Sequence, residues 1–567
     1  MKSIFFEHSL FVEEKQSKSK FIDDVISFDD SRFMIKSWGY FLNINECLEK
    51  YSTTNIVELI QKLFLQDIPI PTILYGGYVI IVYDKRENVL HVYNDLLSKR
   101  SLFYYDDERS RKILFSDSFL DIVGSIKEKK MPYTIDQLGV KMMLWHRMFY
   151  DDVTYLREVK FLRPFDYLIV RDNKLEVKRI NRQDILDVSL EDAAKEIHQR
   201  FEKAVRLQYQ KNEKKGYPQV ITLSGGMDSR STFLYGLSAG YNKQYCYCYA
   251  ESTSADYDFS KNLANKNHCM FFYHSIDNGN HLQLRNEICE ANEGQMAYSG
   301  PSGTYNSLLF YDTNRWGIVH TGLGGGEIMG DMRVGDNSSK WENVINALKY
   351  KMGRGKKDNS WESFSQSLKC TDDDLIRIEK FKLNYHDFNE FQSLNDLRRC
   401  LNSQKLAQFF GVEYVSPFLY EDFFNYMLRI PYNLTKGRKL YRYWQKKYNP
   451  KQFETPSTFM MGCRPSNKIG YYAKRFGQYV LNRFGKKTRY DMTPYDYWLA
   501  HNPTIIQEME KLFGRDVKNI KGCDEIYQLL IDVWNKKAAP RPNVLTASWM
   551  LGKILEQSDE DSCYCEL

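Results

Sequence analysis

Leu223-Ser224-Gly225-Gly226-Met227-Asp228-Ser229 is the stretch on which the reading of this chain turns. Apolar or β-branched residues lead into it (Val220, Ile221, Thr222, with Tyr217 nearby), and a helix-like run, Arg230 to Leu237, follows. That order predicts a buried strand, a glycine turn and a helix N-terminus. Such a turn aims several backbone N–H groups at one point, where the helix dipole also favours an anion. Two glycines let a phosphate approach the backbone without a Cβ in the way. Asp228 then offers a hard oxygen to Mg²⁺, while Ser224 and Ser229 offer hydroxyls to phosphate oxygens. No Lys-Ser/Thr pair closes the loop, so it is not a Walker A. The plainer alternative is a strand-to-helix turn that holds no ligand.

Outward from this loop the pattern alternates, as in parallel α/β folds. Ala193 to Tyr209 reads as an amphipathic helix. Strands are predicted at Val220–Leu223, Tyr245–Tyr249, Met270–His274 and Gly317–Thr321, with a helix over Phe259–Lys266. From about Trp341 to Leu406 the chain reads as mostly helical and highly charged. The first third is β-rich instead. Tyr78–Tyr83 and Val89–Tyr93 form a strand pair around the turn Asp84-Lys85-Arg86-Glu87-Asn88, and Leu102–Tyr105 and Ile113–Phe115 continue the meander. Asn55 to Leu65 has helical spacing. Val159 to Val170, around Arg163-Pro164, with Leu175 to Ile180, reads as one more hairpin. The character changes near residue 185, which divides the chain into 1–185 and 186–567.

With 567 residues, 43% hydrophobic and 27% charged, the composition is that of a globular protein of more than one domain. A net charge of +6, from 79 basic and 73 acidic residues, does not argue for nucleic acid. No apolar run approaches a membrane span, and the first residues reach charge too early for a signal peptide. No membrane and a cytoplasmic location are therefore expected. The 11 cysteines show no CxxC pair, so reduced thiols without zinc are the expectation.

Several landmarks resemble the asparagine synthetase family of ATP pyrophosphatases, which includes the β-lactam synthetases, over nearly the whole chain. The loop at 224–229 is one. Asp256-Tyr257-Asp258-Phe259, then Asn267-His268, is similar to the family's second segment. Thr321-Gly322-Leu323-Gly324-Gly325-Gly326-Glu327 looks like its second glycine loop, Val415-Ser416-Pro417-Phe418-Leu419 its "R-x-P-F-L-D", and Lys439-Leu440-Tyr441-Arg442 its "K-x-L-R". Gly77–Asp84, Asn94-Asp95 and Leu102–Tyr105 match its glutaminase half.

The resemblance implies an α/β architecture: an N-terminal Ntn-hydrolase-like β-sandwich and a C-terminal ATP-pyrophosphatase domain with a parallel sheet flanked by helices. It implies ATP and Mg²⁺ as cofactors, and a carboxylate, small or peptide, as substrate. By position, Asp228 holds the metal. Ser224, Gly225, Gly226 and Ser229 take pyrophosphate, and Leu223, Cys248, Thr321 and Gly322 shape the adenosine pocket. Glu327 and Lys439 stand where catalytic groups are expected. The bland readings are a solvated helix-start acid for Glu327 and surface pairing for Lys439 and Arg442. Cys248 has a plain use as a small buried residue, and His320 as a core histidine. A homodimer stays open as an oligomeric state.

Four departures from the family pattern qualify this. Position 2 is Lys2 and no cysteine precedes Cys47, so the N-terminal thiol with its own α-amine is missing and no glutamine hydrolysis is expected. Gly326 stands where the family has a metal-binding Asp. Leu323 stands where it has Glu or Tyr, which argues against aspartate as substrate. Ser457 stands where a phosphate-contacting lysine belongs; Lys447, Lys451 and Lys468 are near but out of register. These losses motivate a second reading, a nucleotide-binding pseudoenzyme or scaffold. The basic stretch Lys468 to Arg489 reads as a solvated helix face or as a surface for a polyanionic peptide or carrier.

Overall fold

The computed structural model describes residues 3–7, 9–12, 21, 24–107, 113–172, 174–330, 371–458, 460–483, 488–537, 539–556 and 563–565. Lys2 and residues 341–370 of the expected helical stretch lie outside them. Within it, Asp372–Lys380 and Phe388–Phe409 are helices.

Two antiparallel sheets form the first third. The six-stranded sheet runs Lys174–Arg179, Asp166–Arg171, Val89–Asn94, Gly76–Asp84, Phe33–Phe41, Ile26–Asp29. The five-stranded sheet runs Val159–Phe161, Phe103–Asp106, Ile113–Ser116, Ser3–Glu7, Ser9–Val12. The run Gly76–Asp84 is apolar at almost every position because both its faces are covered. Val79 and Ile81 pack between the sheets with Leu102, Tyr104, Ile113 and Phe115. Tyr78, Ile80 and Val82 point the other way, onto Leu59, Ile60 and Leu63 of the helix Ile56–Leu65. Helix Phe119–Glu128 packs on the five-stranded sheet through Phe119, whose ring lies 5.6 Å from that of Phe103. The layers are therefore helix, sheet, sheet, helix.

The expected hairpin from Val159 is corrected. Its first strand ends at Phe161 and pairs with Phe103–Asp106 in the five-stranded sheet. Pro164 offers no N–H for a ladder, and Phe165 takes φ +69°. The chain there crosses to the other sheet, where Asp166–Arg171 and Lys174–Arg179 form the hairpin.

The second part is built on a five-stranded parallel sheet, labelled here in chain order: β1 (Gln219–Thr222), β2 (Gln244–Ala250), β3 (Met270–Ser275), β4 (Ile318–His320) and β5 (Glu413–Val415). Its spatial order is 3-2-1-4-5. The order reverses between β1 and β4, and ligands of open α/β sheets bind at such a reversal, beyond the carboxyl ends of the strands. β5 was not expected as a strand; at three residues it is too short to show a period. The irregular segment between Arg179 and Leu190 joins the two parts.

Charged side chains cross between the parts. Lys99 Nζ lies 2.7 Å from Glu421, whose same oxygen accepts the Gly76 N–H at 2.9 Å. Lys141 pairs with Asp374 at 2.5 Å, and Arg100 with Glu413. All are buried. Burial pushes the Glu421 carboxyl up to about 6, against the pull of Lys99. Buried pairs of this kind fix a mutual arrangement more than they add stability.

Seven described cysteines are free and buried. Cys523 departs from the reduced-thiol expectation, being disulfide-bonded. Among the described residues no helix is long and apolar enough to cross a membrane.

Candidate functional site

The loop after β1 forms as its sequence predicts. Gly226 is the N-cap of helix Met227–Ser238 and brings no side chain to the first-turn N–H groups. Ser229 Oγ accepts the Ser224 N–H at 3.1 Å and meets Ser224 Oγ at 2.9 Å. The Gly226 N–H donates to Ser224 Oγ at 3.3 Å. A further expected donor is held from outside the loop. The Gly225 N–H donates to Asp256 at 2.8 Å, and its carbonyl accepts from the Thr458 N–H at 3.0 Å. Gly225 is thus a brace for the loop, and its N–H is not free for a phosphate.

The loop after β4 presses against the first. A Cβ on Gly322 would sit 2.3 Å from the Ser229 nitrogen and 2.6 Å from the Asp228 carbonyl carbon. A Cβ on Gly325 would sit 2.6 Å from Asp228 Cγ. Gly324 has φ +80° and lies against Leu419. Glycine is required at Gly322 because two backbones touch, at Gly325 because the Asp228 side chain fills the space, and at Gly324 because of its torsion. Thr321 is held by its N–H to the Val415 carbonyl at 2.8 Å.

Between the loops opens a cavity of about 440 Å³, within the range of ~300–1,000 Å³ usual for ligand pockets. Leu223, Ser224, Gly226, Asp228, Ser229, Cys248, Thr321, Gly322 and Glu327 all line it, so most residues singled out from sequence are brought together. Tyr247, Tyr249, Met296, Leu323, Tyr414 and Met492 form apolar or aromatic wall.

Among the described residues three charged ones line it: Asp228, Glu327 and Arg399. Asp228 is partly open to the cavity, yet enough protein surrounds it to raise its pKa; Arg438 and the 2.8 Å hydrogen bond from Tyr441 work against that rise. Glu327 pairs with Arg399 of helix Phe388–Phe409. Burial disfavours the Arg399 charge, but Glu327 and other anions outweigh it and hold the guanidinium above its ordinary range. Glu327 is therefore no free solvated acid.

Lys439 is a correction. It is exposed and does not line the cavity. The cation whose charge reaches Asp228 is the preceding residue, Arg438, at φ +61°. Ser457 is buried and bridges Cys463. Lys447 pairs with Glu191 on the surface, and Lys451 and Lys468 are exposed. None of these lines the cavity. Tyr441, Arg438 and Arg399 were missed as site residues. Tyr441 had a signal, since it sits inside the "K-x-L-R" stretch. Arg399 had none, being one of many charges on a helix.

Mg²⁺ binds through one or two carboxylates plus substrate phosphates. Asp228, with Glu327 in the same cavity, fits that donor set. Among the described residues no group of three or more His, Cys, Asp or Glu could hold a metal by itself. Cys248 is a buried neutral thiol, its pKa pushed up to about 12 by burial.

His320 is a core histidine. It is fully buried, bonds Gln219 at 2.9 Å and stacks on Tyr209. Burial lowers its pKa to about 3. The folded state thus refuses a proton that the unfolded chain accepts below about 6.5, so stability falls as pH drops through that window. Between pH 6.5 and 5 this group should cost about 1.6 kcal/mol. His320→Gln should lose that share of the acid sensitivity in urea unfolding at the two pH values; an unchanged slope refutes the assignment.

No protein-family model matches the chain, and no curated protein matches its sequence.

Proposed function

We propose that this protein is an ATP-dependent, AMP-forming amide ligase resembling the asparagine synthetases, without glutaminase activity. The observation that carries the reading is the pair of glycine loops on neighbouring strands β1 and β4. They meet at the sheet's reversal point and enclose Asp228 at one cavity. A phosphate cradle, a metal carboxylate and an apolar wall for a base then share one space.

In this reading a substrate carboxylate oxygen attacks the α-phosphorus of ATP, and the bond to the β-phosphate oxygen breaks. Pyrophosphate leaves past Ser224, Gly226 and Ser229. An amine or ammonia then attacks the acyl carbon, loses a proton, and AMP departs. Bound Mg²⁺ would neutralise charge on the phosphates. Asp228 would hold it, with Glu327 in reach once Arg399 turns to an anion. Among the described lining residues Arg399 is the one cation, so in this reading it supplies the positive charge that the family draws from its lysine. Leu323 and the aromatic wall favour a carboxylate larger than aspartate. The four-layer first part supports a kinship with class II amidotransferase domains. Cys47 does not replace the missing nucleophile: it is buried, with its thiol pushed up to about 11 by burial.

The second reading, a nucleotide-binding pseudoenzyme, is favoured by Gly326 and by the absence of a lysine among the described lining residues. One experiment divides them. Incubation with ATP, Mg²⁺ and a panel of carboxylates should yield AMP and pyrophosphate with at least one carboxylate, and carboxylate-dependent ATP–pyrophosphate exchange. Nucleotide binding with neither product would leave the pseudoenzyme.

A further inference from the structure

Helix Lys468–Arg483 turns an apolar stripe to solvent. Ile469, Tyr472, Phe476 and Tyr479 are 87, 64, 69 and 63% exposed. Their spacing of three, four and three residues puts them along one side of the helix. Folded proteins seldom leave such a stripe uncovered without a use. Its charge setting is one-sided. Between Glu454 and Asp491 the sequence holds eight Lys or Arg and no Asp or Glu, so this short stretch more than accounts for the net charge of +6. At 100° per residue, Lys468 and Arg475 stand along one edge of the stripe, the position from which long cationic side chains reach past an apolar layer to headgroups.

One root of the helix reaches the loop after β1, the other the cavity. On the N-terminal side, the Thr458 N–H braces Gly225, and Lys474 Nζ donates to the Met461 carbonyl at 3.1 Å. On the C-terminal side, Gln478 bonds Thr488 at 3.0 Å. Beyond it, the Met492 carbonyl accepts the Glu251 N–H at 3.0 Å, and Met492 lines the cavity.

We propose that helix Lys468–Arg483 is an interfacial helix that lays its Ile469, Tyr472, Phe476 and Tyr479 stripe into the surface of an anionic bilayer. Charge complementarity selects this occupant. A second copy would set the same cations against each other. Nucleic acid would leave Ile469, the most exposed of the four, unused. A partner helix needs a groove, and a single convex helix offers none, whereas an interfacial helix needs only a face and a cationic margin. The sequence expectation of no membrane rested on the lack of a spanning run, and a helix lying in the interface has no such run.

The test is co-sedimentation of the full chain with vesicles of phosphatidylcholine alone or mixed with phosphatidylglycerol. Binding is expected to the mixed vesicles and to weaken with salt. The double variant Ile469→Ser, Phe476→Ser should bind at least ~10-fold more weakly, and Lys468→Glu, Arg475→Glu should lose the preference for anionic lipid. Tyr472→Trp should shift its fluorescence to the blue on binding. Unchanged thermal unfolding of the variants confirms their fold, since all these side chains are exposed. No binding to the mixed vesicles overturns the proposal, as does equal binding by the Ser variant. So does a vesicle-free dimer, or a complex with an acidic polypeptide, that the Ser variant abolishes while vesicle binding persists.

Discussion

Asp228→Asn is expected to abolish the stabilisation of this protein by Mg²⁺ and ATP while leaving the unliganded fold as stable as before, or more so. The two halves of that result come from one geometry. Asp228 sits where two glycine loops close on each other, with Gly325 against its carboxyl group and Tyr441 donating to Oδ1 at 2.8 Å. Burial raises its pKa, so the unliganded fold loses stability as pH rises from the ordinary carboxylate range up to the folded value. An amide of the same shape keeps an oxygen for Tyr441 and removes the charge, hence no loss of fold. On the proposed function Mg²⁺ would lose its carboxylate ligand, and nucleotide binding in the presence of Mg²⁺ should weaken by roughly 100-fold, about 2.7 kcal/mol. Thermal unfolding with and without MgATP reads both quantities. A variant whose unliganded form melts markedly lower would make Asp228 a structural residue. A variant still stabilised by MgATP would remove it from the metal site.

Gly322→Ala is expected to damage both the fold and the cavity. Its Cβ would meet the backbone of Ser229 at 2.3 Å and of Asp228 at 2.6 Å, and backbone cannot swing aside as a side-chain tip can. The loops must separate, which costs about 1–3 kcal/mol as an overpacking defect and opens the contact that shapes the cavity. Gly124→Ala is the matched control. That glycine lies within helix Phe119–Glu128 with open space at its Cβ, so alanine should raise stability by about 0.5–1 kcal/mol. Chemical unfolding of the two variants, with nucleotide titration, checks the contrast. Near-native stability and binding in Gly322→Ala would mean that the loops do not press together as described.

Much of the site was legible because its parts are local. A strand, two glycines and a helix start are contiguous at 219–238, and backbone chemistry alone fixes what such a turn does. The same holds for the second glycine loop and for the long apolar run Gly76–Asp84, whose unbroken character follows from burial on both faces. Other residues were not legible, for reasons that can be named. Gly225 looks like a cradle donor from its neighbours, yet Asp256, distant in sequence, takes its N–H. Lys439 carries the motif, but helix phase turns it to solvent and leaves Arg438 as the charge felt by Asp228. Arg399 enters the cavity because helix Phe388–Phe409 packs there.

The sequence by itself determined the two glycine loops and the alternation that makes a parallel sheet, because each is a property of neighbouring residues. Only the tertiary structure decided that the loops lie side by side, on strands β1 and β4 nearly a hundred residues apart. It also decided which charges face the cavity between them and that the stripe on helix Lys468–Arg483 is left uncovered. Strand order, helix phase and burial are relations between distant segments, and no local spacing encodes them.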